Sequence, residues 1–178
     1  ATPFLRAAQS ADVEVMKLLL AHGADAKLST SNNVTALAAA AGIGWVQGVT
    51  YERSEQDGIA AVKLCLELGI DPNIADGDGR TALHGAAHKG RNQVVELLVA
   101  HGAKLDARDF GSRDTIAGEQ IGRGWLPVDY ADGLVRVGVQ SAIAHPDTAA
   151  LLRKLMTDRG LTVPAPISSS VCITDVCK

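Results

Sequence analysis

Apolar residues recur three and four apart in the middle of the chain. Val94, Val95, Leu97, Leu98 and Val99 form one stripe of a helix, and Gly102 supplies the left-handed residue that stops it. Ahead of that stripe, TALHGAA at 81–87 predicts a shorter amphipathic helix, opened by Thr81 as a cap and broken at Gly90. Thr81 and Gly102 stand 21 residues apart, and so do Thr2 and Gly23. In that first copy Ala11 takes the place of Gly90 and Leu5 that of His84. Two further copies run from Thr35 to Gly69 and from Leu126 to Gly160, each over 34 residues, so both carry insertions of equal length between their helices. The links from Gly23 to Thr35 and from Gly69 to Thr81 are 12 residues, whereas the link from Gly102 to Leu126 is 24.

The segment TALHGAAHKGRNQVVELLVAHGA resembles one ankyrin repeat: TALH stands where that family writes TPLH, and HGA after the second helix is equally typical. The resemblance is to a bacterial-type array with insertions. It implies an all-α ankyrin-repeat solenoid of four helix-turn-helix repeats with β-hairpin fingers, two inter-helix insertions and an extended C-terminal tail. The repeats are expected at about 2–34, 35–80, 81–125 and 126–160, with residues 1–160 as the array and 161–178 as the tail. In the first repeat the helices are expected at about 2–9 and 13–22. Met16 and Leu20 share one face of the outer helix, as do Val62 with Leu66 and Val95 with Val99, but the fourth repeat has Arg153 and Thr157 there. A face that turns polar only in the last copy is expected to meet water or the tail, as a terminal cap does.

The insertion at about 44–57, GWVQGVTYERSEQD, brings Trp45, Val46, Val49 and Tyr51 in near alternation, followed by a solvated lead into the next helix. These apolar residues are expected to cover the end of their own repeat, with a ligand-facing role as the alternative. The link IDPNIADGDGR gathers Asp71, Asn73, Asp76 and Asp78, but Ala75 stands where a calcium loop needs its third ligand, so turn formation accounts for the run. The doubled finger mixes charge with Phe110 and Trp125 and four glycines, which predicts an excursion or a small subfold. Pro146 with Asp147 and Thr148 opens the final helix, and Pro164 and Pro166 keep the tail extended.

Composition narrows the function. Hydrophobic residues make up 47% of the 178, but aromatics only 3%, which suits a core built of Ala, Leu and Val layers. A formal charge of −3 leaves no cationic excess for a phosphate backbone, so nucleic acid is not an expected partner. No apolar run approaches the roughly 18–20 residues a membrane span needs, and no part of the chain is expected to act as a signal peptide. The chain opens without an initiator Met, inside a repeat lacking its finger, and is expected to be a fragment or processed product.

Chemistry is sparse. Cys65 aligns with Leu19 and Leu98 and is expected in the core. Cys172 and Cys177 are close enough for a small disulfide loop, with free thiols, a metal or an intermolecular bridge as alternatives; a disulfide would favour a periplasmic or extracellular setting, its absence a cytoplasmic one. His84 and His88 have a spacing that metals use. The family resemblance instead makes His84 a structural partner of Thr81, and leaves His88 at a variable position on the concave side. No nucleophile, phosphate loop, metal set or cofactor motif is visible, and no enzymatic activity is expected.

What remains, by that resemblance, is a non-catalytic module binding a protein partner on a curved wall. The residues expected there are Arg6, Gln9, His88 and Lys89 on the inner helices, Asp76, Asp78, Arg80, Arg108 and Asp109 on the fingers, and the aromatics Trp45, Tyr51, Phe110 and Trp125 as anchors. A self-assembling subunit of a larger array, or an accessory domain of a longer enzyme, are the alternatives.

Overall fold

The computed structural model describes residues 1–46, 50–51, 53–111, 124–135 and 143–166. Among them are eight helices: α1 (Pro3–Gln9), α2 (Val13–Ala21), α3 (Ala36–Ala41), α4 (Glu55–Glu67), α5 (Ala82–Lys89), α6 (Asn92–Ala100), α7 (Pro127–Ala131) and α8 (Pro146–Asp158). Consecutive helices pair into four antiparallel hairpins. The first helices of the pairs pack in chain order, α1 on α3, α3 on α5 and α5 on α7, while α2, α4, α6 and α8 stack behind them as a second layer. The all-α solenoid expected from the repeat is the observed architecture.

Each short inner helix needs help to start, because too few of its N–H groups find partners within it. Thr2 Oγ1 accepts from Leu5 N at 3.2 Å and Thr35 Oγ1 from Ala38 N at 3.1 Å. In α5 the His84 ring accepts the Thr81 N–H at 3.0 Å, and in α7, where Leu126 stands at the cap position, the Asp129 carboxylate accepts the Leu126 N–H at 2.7 Å. Outer helices end on Gly23, Gly69, Gly102 and Gly160, all at φ between 67° and 88°, where a Cβ would be strained.

The core is aliphatic, as the low aromatic content requires. Ala36 to Ala41 are all buried in α3, and Met16, Val62, Val95 and Leu98 are fully enclosed between outer helices. Burying a side chain of that size stabilises by about 1.5–3 kcal/mol, so the stacked faces supply most of the cohesion. At the far end Arg153 turns polar, and its guanidinium grips Asp132 with two bonds of 2.9 and 2.5 Å while Leu161 and Val163 of the tail pack against the core.

Two local expectations need correcting. Residues 54–56 are solvated as expected but are not merely a lead: Ser54 caps α4 and Asp57 reaches back to it at 2.7 Å, so the helix begins two residues after Arg53. The fingers show turns rather than strands among the described residues. They are stitched to one another by side chains: Asn33 Nδ2 donates to Ala75 O at 2.7 Å, and Asn73 donates to Gly102 O at 3.0 Å while accepting from Lys104 N at 2.9 Å. No helix of the described residues is long and apolar enough to cross a membrane.

Candidate protein-binding surface

His84 is the node of the third and fourth repeats. Its Nδ1 accepts from the Thr81 backbone, which leaves the proton on Nε2, and Nε2 donates to Trp125 O at 3.1 Å. The ring meets Tyr130 edge-on at 5.1 Å, and Tyr130 OH donates to Asp109 at 2.7 Å. The second oxygen of Asp109 accepts from Trp125 N at 2.7 Å and Gly111 N at 2.9 Å. One carboxylate thus holds a finger turn and anchors the start of the last repeat. Burial pushes the Tyr130 hydroxyl far above its ordinary range, with the Asp109 charge adding to it, so the phenol stays a donor. Burial also draws His84 down to about 4, which keeps the neutral tautomer this network requires.

Asp76 does the same work one finger earlier. It accepts from Asp78 N and Arg80 N, both at 2.9 Å, and from Arg80 Nε at 3.0 Å. Asp76, Asp109 and Trp125 were expected to face a partner from the sequence alone, yet all three are buried. A finger turn exposes successive backbone N–H groups that need an acceptor, and a short carboxylate folded beneath them is that acceptor.

His88 and Lys89 are also covered. Trp45, from the first insertion, sets its ring edge-on to His88 at 6.1 Å, and the Lys89 ammonium lies 5.3 Å from the Trp45 centroid, a cation–π distance. From the other side His145, which precedes α8, donates from Nε2 to the His88 carbonyl at 3.0 Å. Its ring fills the space beside Gly90, where any Cβ would collide at 2.4 Å. Trp45 and His145 therefore close on the end of α5 from two sides. His88 is 2% exposed and neither ring nitrogen has a hydrogen-bond partner. Burial, with smaller contributions from the neighbouring His145, Arg80 and Lys89, pulls it down to about 4. No feature of the sequence marked His145 or Tyr130; their partners lie 57 and 21 residues away.

Of the remaining expected residues, Arg6, Tyr51, Asp78, Arg108 and Phe110 are exposed, and Gln9 and Arg80 are half-buried. Phe110 is 71% exposed and sits on the finger, its N–H bonded to Asp78 O at 2.9 Å and its ring against Gly79. Around it stand Asp78, Arg80, held between Asp76 and Asp78 at 2.8 and 2.6 Å, and Arg108, which donates to Gly124 O at 2.6 Å. Tyr51 is 76% exposed, two residues before Arg53, which pairs with Asp12 at 2.9 Å. Arg6 and Gln9 form a third group: Arg6 donates to Gln9 at 3.0 Å, and Gln9 to Gly44 O at 3.2 Å. The structure thus brings the finger residues together. Cys172 and Cys177, with their expected disulfide, lie outside the described residues. Cys65 is a buried free thiol, pushed up to about 12 by burial.

Residues 4–109 match the profile described as ankyrin repeats, in three copies. The chain is 34% identical over 103 residues to the ankyrin repeat, SAM and basic leucine zipper domain-containing protein 1 of Dasypus novemcinctus, covering 58% of this chain and 20% of that protein. It is 37% identical over 102 residues to ankyrin repeat and SOCS box protein 16 of Mus musculus, covering 57% and 21%. A shorter match, 46% over 59 residues, is to serine/threonine-protein kinase 12 of Arabidopsis thaliana, covering 33% of this chain and 13% of the kinase. The chain spans about a fifth of the length of the first two relatives.

Proposed function

Since the chain belongs to the ankyrin repeat family, whose repeats are generally non-catalytic modules of protein–protein interaction, we propose that it binds a protein partner through the finger edge around Phe110. One observation carries this reading: a large aromatic ring stands 71% exposed on a turn that is itself fixed by the buried Asp109. An exposed phenylalanine has an apolar surface to gain by association, and a rigid mounting lowers the ordering cost of doing so. Asp78, Arg80 and Arg108 supply a rim of both signs, suited to a partner with an apolar anchor site and mixed charge around it. Buried Asp76, Asp109 and Trp125 act by positioning this rim. In this reading the array comprises residues 1–160, with 161–178 as its tail, and the chain contributes no catalysis of its own.

A second reading makes the array the accessory part of a longer polypeptide. The match to a small fraction of a protein kinase, 13% of its length, favours it. The two readings are compatible, because a positioning module also works by binding.

The test is capture from native extract by the wild-type chain, Phe110→Ala and Trp125→Ala, with melting temperatures measured alongside. Phe110→Ala is expected to lose the partner by roughly tenfold at an unchanged melting temperature. Trp125→Ala is expected to melt early. Full capture by Phe110→Ala would reject the finger edge as the binding surface.

A further inference from the structure

Two histidines sit about one turn apart on α5, and the fold treats them in opposite ways. His84 has both ring nitrogens in use, Nδ1 accepting the Thr81 N–H and Nε2 donating to Trp125 O. His88, 2% exposed, has neither in use. A neutral imidazole carries one donor and one acceptor, and leaving both unmet inside a protein costs free energy that water would recover. Rings help to keep that water out: Trp45 meets His88 edge-on at 6.1 Å and Tyr130 at 6.5 Å.

These covers are fastened unequally. Tyr130 is buried and its hydroxyl is bound to Asp109 at 2.7 Å. His145, on a further side, is fixed through its own N–H to Ala131 O at 2.7 Å and through Nε2 to the His88 carbonyl at 3.0 Å. Trp45 is only half-buried, and among the described residues its indole touches the His88 ring and the Lys89 ammonium without any hydrogen bond. It follows Gly42 and Gly44, at φ 130° and 78°, a backbone with few steric limits on reorientation.

The surroundings of His88 oppose a second proton. Arg80 from the finger and Lys89 on the same helix bear positive charge, and His145 acts in the same direction. α3 has no ionisable residue; α7 carries Tyr130 and Asp129, the latter engaged with the Leu126 N–H; Arg91, at the start of α6, pairs with Glu55 at 2.9 Å. None of these groups accepts a bond from the ring.

We propose that His88 and Trp45 form a proton-operated latch: on acidification the imidazolium holds two donors without an acceptor, the indole lifts away, and water reaches the ring while α5 and α7 stay packed. The sign follows from burial. The covered ring takes a proton only near pH 4, an uncovered one near 6.5, so the closed form is fully favoured above 6.5 and loses ground as pH falls toward 4. Between pH 7 and 5 the balance moves toward the open form by roughly twentyfold. His84 gives no such local response, because a proton on Nδ1 displaces the Thr81 N–H and with it the start of α5.

The test follows Trp45 emission and acrylamide quenching in the full chain carrying Trp125→Phe, with far-ultraviolet circular dichroism alongside. From pH 7 to 4.5 the emission is expected to shift to longer wavelength and quenching to increase, with the helical signal retained. His88→Leu, which takes no proton, is expected to abolish the change, and His145→Gln to keep it. The wild-type chain supplies a second readout that needs no Trp125 variant: the indole N–H resonance of Trp45, assigned by its loss in Trp45→Phe, is expected to titrate together with the His88 ring. A Trp45 signal unchanged down to pH 4.5, a transition that survives His88→Leu, or loss of the helical signal at the same pH would overturn the proposal.

Discussion

Ala11 holds φ at 58°, a left-handed conformation that the third repeat gives to Gly90. A Cβ there costs about 1 kcal/mol, and the substitution Ala11→Gly is expected to stabilise the chain by about 0.5–1 kcal/mol in urea melts. The reverse change at Gly90 fails for two reasons, backbone strain and the His145 ring lodged against it. Tyr130→Phe removes the donor from one oxygen of Asp109 while leaving the ring contact with His84. It is expected to cost about 1–3 kcal/mol by chemical denaturation, with the larger loss falling to Asp109→Ala, which also frees the Trp125 and Gly111 N–H groups. Asp109 was misjudged from sequence for a physical reason. An aspartate in a Gly-rich turn has the same local signature whether its side chain points to water or folds under the backbone, and Asp109 is committed to the inside by a tyrosine 21 residues downstream.

At the level of helices, α5 concentrates the acid sensitivity. His84 and His88 are both drawn from 6.5 to about 4 by burial, so the folded chain binds protons less readily than the unfolded one. Their contribution is complete above pH 6.5 and is lost as pH falls toward 4, by roughly 3 kcal/mol for each group. Urea midpoints at pH 7, 5.5 and 4.5 are expected to fall steadily, and His88→Leu to flatten that dependence by about half. A stability independent of pH across this range would contradict the buried, neutral state of both rings. Helix positions were readable because periodicity and terminating glycines are local. The contacts that Trp45 and His145 make with α5 were not, since both reach it across repeat boundaries.

Over the whole molecule, the order of the hairpins follows from one repeated interval, since stacking in chain order buries each apolar row on its neighbour. The site did not follow from that interval. Which finger residues are accessible depends on how each turn satisfies its own backbone, and that left Phe110 out while drawing Trp125 in. Trp125→Ala is accordingly expected to cost about 3–5 kcal/mol, read as an earlier thermal transition, because a ring enclosed at 2% exposure leaves a cavity between the last two repeats.

The two tryptophans also straddle different joints. Trp45 rests on the third repeat from the second, and the Trp125 carbonyl binds His84 from the residue directly ahead of the fourth. Single-tryptophan chains made by Trp45→Phe and Trp125→Phe would thus carry one optical reporter per seam. Superimposable emission curves during denaturation would mean the array melts as one unit; staggered curves would reveal from which end it unzips.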